Sequence, residues 1–341
     1  LIPYPVNPSI SFFLSIRSLY IPPKLFKRLI IFTFFASIIA SFNQRMGWAS
    51  EISELSSIGP INVKSQRLIW LLPFIMGVFP IALAMKWKTK MMNVIVWLSF
   101  VGMMGLTGFR SKLVALFMLT FLVGLMKTKN KSIYFIKTLL LTIAVWILAI
   151  AVSPAAPPGL QRAISFIPGT QVASATDKDA IDSIEWRIEI WKYCWEMAQE
   201  YFWLGRGSAF NVKDAVADLT RTDIVTFSPW FAYLTRSYHS GPLTLLIDYG
   251  FAGLLIVSWL LFSIAKSAWY YGISMNQYKS LSSRYCQVLC AWLFWEILSF
   301  YLVYGQMAKI ANILALAAVV TVLARSIERY KEAHLNKEIK I

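Results

Sequence analysis

His239 is the side chain in this sequence best suited to acid–base chemistry. It stands in Thr235-Arg236-Ser237-Tyr238-His239-Ser240-Gly241, and the only other histidine is His334. A neutral imidazole near pH 7 can accept the proton of an attacking hydroxyl. Arginine offers a second chemistry, because its planar fork of donors matches phosphate oxygens. Arg110 closes an apolar run in LTGFRSKL, and Arg187 stands in IDSIEWRIEIWKYCWEMAQEYFWL, residues 181–204. Asp248 and Glu296 fall inside apolar runs, where an ionised carboxylate is costly without a partner or water. Asp248 can pair with an arginine near the end of its run, whereas Glu296 has no partner legible in the sequence. Each residue also has a plainer reading. The histidine can be hydrogen-bonded at a helix start, and the arginines can snorkel or anchor at a membrane surface.

Other chemistries find no support. Cys194, Cys286 and Cys290 form no C-x-x-C pair. No phosphate-binding glycine loop, H-E-x-x-H helix or nucleophile elbow occurs. Asp177-Lys178-Asp179 is a D-x-D, but an acidic turn ahead of a helix explains it more simply than a metal.

The elements that must position these groups are membrane helices. Of 341 residues, 57% are hydrophobic and 15% charged, and the mean hydropathy is +0.58. Soluble domains are about 25% charged, so a soluble enzyme, a disordered chain and a disulfide scaffold are all excluded. A spanning helix needs about 20 mostly apolar residues. That standard predicts an all-α, polytopic transmembrane bundle with about eight spans, near 25–43, 67–85, 91–109, 112–126, 132–152, 242–262, 285–304 and 310–327. The stretch 9–21, interrupted by Arg17, is the stub of an earlier span. No internal repeat is visible.

Charge orients the spans. Eighteen basic residues lie in 24–28, 86–90, 127–137, 266–284 and 325–340, and six in the opposite short loops, among them Arg110 and Lys309. The positive-inside rule places the first set, and both chain ends, in the cytoplasm. The net charge of +16 is therefore a topology signal and not a nucleic-acid stripe. The sequence divides into N-terminal spans (1–152), a large outer loop (153–241), and C-terminal spans with a basic tail (242–341). The loop holds ten of the seventeen acidic residues and is too long for a connector. Within it Ile184, Ile188, Trp191, Trp195 and Ala198 recur at helical spacing, which predicts an amphipathic helix on the outer membrane surface. Arg187 lies on or beside that stripe.

Three separated motifs resemble those of the O-antigen ligase and polymerase family of bacterial membrane glycosyltransferases. Thr107-Gly108-Phe109-Arg110-Ser111 is similar to the family's T-G-x-R-[SG]. Arg187-Ile188-Glu189-Ile190-Trp191 followed by Leu204-Gly205-Arg206-Gly207-Ser208-Ala209-Phe210 resembles its R-x-x-[IL]-W helix and L-G-x-G-x-x-x-F segment. His239-Ser240, then nine residues, then Gly250-Phe251-Ala252-Gly253 fits the ligase-type H-[NSQ]-x9-G-x-x-[GTY]. Phe202 departs from the proline often found ahead of L-G-x-G. The resemblance covers roughly 60–325. The family has more spans ahead of this region, and the first residue is Leu1, so further N-terminal helices are expected.

The resemblance implies an activity and its parts. A glycan on undecaprenyl diphosphate, presented at the outer face of the inner membrane, would be moved to a sugar hydroxyl on lipid A-core or another glycan acceptor. Arg110 and Arg187 would hold the diphosphate, with Arg206 and Arg236 as secondary phosphate ligands. His239 would be the general base, and Asp248 a supporting carboxylate. No metal or other cofactor is implied, and membrane lipid is the surrounding partner. A polymerase of the same family is the alternative. A non-enzymatic transporter of lipid-linked sugars is the other class; it would favour repeats or matched broken helices, which are not seen.

Overall fold

In this computed structural model the structure describes residues 71–338, apart from 86–88, 108, 173, 208–228, 235 and 279. The expected span 25–43 and the stub 9–21 lie outside the described residues. So do Gly108, Ser208-Ala209-Phe210 and the loop acids Asp214, Asp218 and Asp223. Among the described residues the regular structure is helical, with no strand. The helices are α1 (Leu72–Ala84), α2 (Lys90–Leu106), α3 (Arg110–Lys127), α4 (Lys131–Val152), α5 (Pro158–Ile164), α6 (Ser174–Glu200), α7 (Pro229–Leu234), α8 (Gly241–Ser274), α9 (Leu281–Leu302) and α10 (Met307–Glu338).

Seven of the expected spans coincide with helices, but fewer meet the standard for crossing a membrane. Among the described residues four segments are long and apolar enough: Lys131–Ala155, Gly241–Gln277, Leu281–Leu302 and Met307–Lys331. α1 and α2 are apolar but only 13 and 17 residues long. α3 carries Arg110, Lys112 and Lys127 within its 18 residues. The hydropathy reading merges apolar turn residues into its spans, whereas a helix ends where its backbone turns. Asn130 and Thr89 mark such starts, each accepting a hydrogen bond from a backbone N–H in the first turn of α4 and α2.

The chain forms two compact units, one of 1–180, 269–292 and 319–341, the other of 181–268 and 293–318. In the first, α2 packs with α1, α3 and α5, and α3 packs with α4. Phe79 and Phe100 meet edge to face at 5.2 Å, and Ile75, Met104 and Leu116 are buried. Trp97 satisfies its indole N–H on Thr120 at 3.0 Å. α4 behaves differently, since no residue along its 22 is buried. A helix that is apolar all round and uncovered is suited to hydrocarbon.

The second unit is built on α6, α7 and the first part of α8. Its core joins Ile190, Cys194 and Ala198 of α6 to Ala232, Tyr233 and Tyr238, and to Leu246 and Ile247 of α8. The sequence predicted a different stripe. Ile184, Ile188, Trp191 and Trp195 are 47%, 42%, 37% and 53% exposed, while Ala198 alone of that set is buried. Helical spacing detects an apolar face but not what covers it, and α6 carries two. The packed face runs through Ile190, Cys194 and Ala198, four residues apart. Cys194 acts there as a small apolar group, its thiol pushed up to about 12 by burial.

Candidate active site

The glycine motifs of the sequence meet each other. Within α8 the helix breaks at Gly250, whose φ of 69° and ψ of −175° suit only glycine. Such a break frees backbone groups that an apolar surrounding cannot satisfy. The segment 202–207 supplies the partners. Arg206 N–H donates to Ile247 O at 2.8 Å, and Gly207 N–H to Asp248 O at 3.1 Å. Phe251 N–H donates to Phe202 O at 2.7 Å. The backbones approach so closely that a Cβ on Gly205 would stand 2.5 Å from the Gly250 nitrogen. Phe202, the departure from the family pattern, stacks on Phe251 at 5.4 Å.

This docking carries Arg206 to Asp248. The Asp248 carboxylate is 1% exposed and accepts from the Tyr238 hydroxyl at 2.9 Å. Arg206 Nε lies 3.6 Å from one of its oxygens, and Arg236 Nη1 3.9 Å from the other. Arg206 also donates to Tyr233 O at 3.0 Å and lies over the Tyr233 ring at 4.3 Å. It is almost wholly enclosed, whereas the Arg236 side chain is 24% exposed. Two cations thus share one carboxylate. Burial raises the Tyr238 phenol, which keeps it protonated as a donor to Asp248.

Arg236 and His239 share an uncommon backbone. Both have positive φ, 59° and 55°, in the left-handed region where a side chain costs about 1 kcal/mol or more. Arg236 closes α7. Its N–H bonds Tyr233 O and the next N–H, of Ser237, bonds Ala232 O, so an arginine fills the helix-ending position that usually takes glycine. Its Nη2 then donates to Gly207 O at 3.0 Å, tying it to the glycine segment. Strain held at two candidate residues in one short connection accords with function, since such conformations concentrate at active sites.

The imidazole of His239 lies between two aromatic rings, Trp186 at 5.2 Å and Tyr304 at 5.1 Å. The residue before it is pinned: Trp191 Nε1 donates to Tyr238 O at 3.0 Å. Nδ1 of His239 is buried and has no hydrogen-bond partner among the described residues. Burial, and then the Arg187 charge, lower the affinity of His239 for a proton. Arg187 also acts on the Tyr304 phenol, opposing the upward push of burial. Arg187 and His239 are therefore neighbours, although more than fifty residues apart in sequence.

The sign of the His239 shift gives a pH prediction. A depressed value keeps the ring neutral further into acid than an ordinary histidine at 6.5. The acid limb of the transfer rate should therefore lie below pH 6.5, with full rate at neutrality. A rate–pH profile on membranes measures it, and a midpoint at or above 6.5 would detach His239 from the limiting proton transfer.

Arg187, Arg206, Arg236, His239 and Asp248 all belong to the second unit, and Arg110 belongs to the first. Arg110 is the first residue of α3, and Lys112 follows in the same turn. Cations there oppose the positive end of the helix dipole, an arrangement that a bound anion relieves. Thr107 is buried and bonds Met104 O at 2.7 Å, closing α2 just ahead of Arg110. The Asp177 and Asp179 side chains are outside the described residues.

Sequence reasoning missed Trp186, Tyr238 and Tyr304 as neighbours of the candidate base and its carboxylate. Two of them stand next to residues it selected. Glu296, left without a partner, has one in Lys309, whose Nζ lies 3.3 Å away. The signal for that pair was Lys309 itself, one of the six basic residues in the short loops expected to lie opposite the main basic set.

The fold and this site define a helical membrane protein with a histidine and arginines gathered at one end of a broken helix. Residues 94–258 match the family model described as O-antigen ligase. That match supports assigning the chain to the O-antigen ligase and polymerase family. Neither curated proteins nor solved structures yield a match.

Proposed function

We propose that this protein transfers a glycan from undecaprenyl diphosphate to a sugar hydroxyl, in the manner of an O-antigen ligase, at the outer face of the bacterial inner membrane. Lipid A-core or another surface glycan is the acceptor. The observation that carries the reading is an aromatic-flanked His239 kept neutral at pH 7 by burial and by the charge of Arg187 in the same unit, in a chain whose residues 94–258 match the O-antigen ligase family model.

In this reading His239 takes the proton of the acceptor hydroxyl as its oxygen attacks the anomeric carbon. The bond from that carbon to the diphosphate oxygen breaks, and undecaprenyl diphosphate leaves. Arg187 holds the diphosphate and stabilises the charge that develops on it. Arg236, the more exposed arginine on Asp248, reaches the same anion, and Arg206 supports it from inside. Asp248 sets the direction of both forks. The order N-terminal spans (1–152), outer loop (153–241) and C-terminal spans (242–341) puts these groups at the outer surface. The exposed Ile184, Ile188, Trp191 and Trp195 face of α6 then lies against lipid at headgroup level.

The test is complementation in a host that lacks the gene, with surface glycan resolved on a gel. Restored long chains on lipid A-core support the ligase. Growth of the repeat number on the lipid carrier would instead assign a polymerase, and unchanged glycan would overturn transfer. Arg187→Lys should lose at least tenfold of the rate at matched membrane levels, because a point charge does not replace a fork. Full activity of that variant would reduce Arg187 to a membrane anchor.

A further inference from the structure

Among the described residues the base of the proposed reaction lacks the usual orienting group. A catalytic histidine is commonly held by a hydrogen bond on its second nitrogen, which fixes tautomer and ring angle. His239 has none on Nδ1 among the described residues, and it has a strained backbone beneath it. Its ring is held by contact with Trp186 and Tyr304 instead. Trp186 is fixed by α6. Tyr304 sits in the short connection between α9 and α10, where a ring has no helix of its own to hold it.

That connection is fastened at three points. The Thr244 hydroxyl of α8, whose shorter bond goes to Ser240 O at 2.7 Å, also stands within 3.2 Å of Gly305 O. Gly241 and Gly305 meet backbone to backbone, with no space for a side chain on either. Lys309, in the first turn of α10, donates to Tyr304 O at 3.2 Å and to Ser299 Oγ at 2.6 Å. Its ammonium is held in turn by Glu296 of α9 at 3.3 Å. The lysine and glutamate side chains are 16% and 21% exposed, so each charge stands mostly out of solvent and faces the other. All of these residues lie within the second unit.

We infer that the Glu296–Lys309 pair is a positioning device for His239, acting through the Tyr304 ring. Lys309 holds the Tyr304 backbone, the ring closes one face of the imidazole, and the imidazole thereby keeps the angle at which it meets the acceptor hydroxyl. Neither charged residue touches substrate. The pair also accounts for a carboxylate and a lysine kept at the membrane, where an apolar pair would fold as well.

The inference rests on His239 being the base, so the experiment separates the two. Donor, acceptor and full-length protein in native membranes are assayed for kcat, KM and the rate–pH profile. Lys309→Met should lower kcat roughly ten- to a hundredfold with donor KM little changed, since small misplacement of a reacting group costs that much. Lys309→Arg, which can still donate to the Tyr304 carbonyl, should recover much of the rate. Tyr304→Phe keeps the ring and should stay near wild type, while Tyr304→Ala should resemble Lys309→Met.

Because removing the ammonium beside a partly buried glutamate can destabilise the protein, Lys309→Met/Glu296→Leu is made beside it. The double variant should regain membrane level and thermal stability but not kcat. A double variant with normal kcat would overturn the inference, as would Tyr304→Phe as impaired as Tyr304→Ala, which would make the hydroxyl a substrate contact. If His239→Ala itself transfers normally, the reading of the base fails, whatever Lys309 does. If His239→Ala is inactive and Lys309→Met is normal, only the positioning role fails.

Discussion

Replacing His239 with alanine should abolish glycan transfer while leaving the protein inserted and folded. A positioned base contributes about 10²- to 10⁴-fold to rate, and no second histidine stands in the described part of this unit to replace it. The imidazole makes no hydrogen bond through Nδ1 among the described residues, so its removal breaks no such bond there. The φ of 55° at this position is no harder for alanine than for histidine, so strain changes little. Loss of the ring opens space between Trp186 and Tyr304, which costs stability on the order of 1 kcal/mol for a half-buried side chain. The measurement is surface glycan on a gel at matched membrane levels, beside thermal unfolding in detergent. A well-inserted alanine variant with near-normal ladders would remove His239 as the base and revive the transport reading.

Gly250→Ala is the second large effect, and it acts on architecture. The backbone there is one that glycine alone adopts, and forcing alanine into it costs about 1–3 kcal/mol. A Cβ would also overlap the Trp203 carbonyl and stand 2.5 Å from the Gly205 nitrogen, both of them backbone atoms that cannot swing aside. Overpacking adds about 1–3 kcal/mol. Together these should separate 202–207 from the break, leave the Ile247 and Asp248 carbonyls unsatisfied, and release Arg206 from Asp248. Folded yield and unfolding temperature should fall sharply, and activity with them. Gly102→Ala is the control, since a Cβ there meets nothing within 4 Å and lies inside α2. Equal stability of the two variants would sink the account of the docked glycines.

The family and the helical class were legible because their signals are local. A run of apolar residues needs only its own composition to reveal a helix suited to a membrane, and the three motifs are short. The number of qualifying spans was less legible. The limits of α1, α2 and α3 depend on where caps and turns fall, and composition blurs those by several residues.

What the sequence determined by itself was which residue types could do chemistry: a histidine ahead of a helix, arginines at run ends, and a carboxylate where lipid makes one costly. Only the tertiary structure decided who meets whom. It set Arg206 and Arg236 on opposite oxygens of Asp248, Arg187 near His239, and Lys309 beside Glu296. It also turned the stronger apolar stripe of α6 outward and packed the weaker one. The reason is physical. Periodicity and composition are properties of one segment, whereas an ion pair, a closed backbone approach or a buried face belongs to two segments at once. Here the second segment is brought in by a glycine break whose docking partner lies over forty residues earlier in the chain.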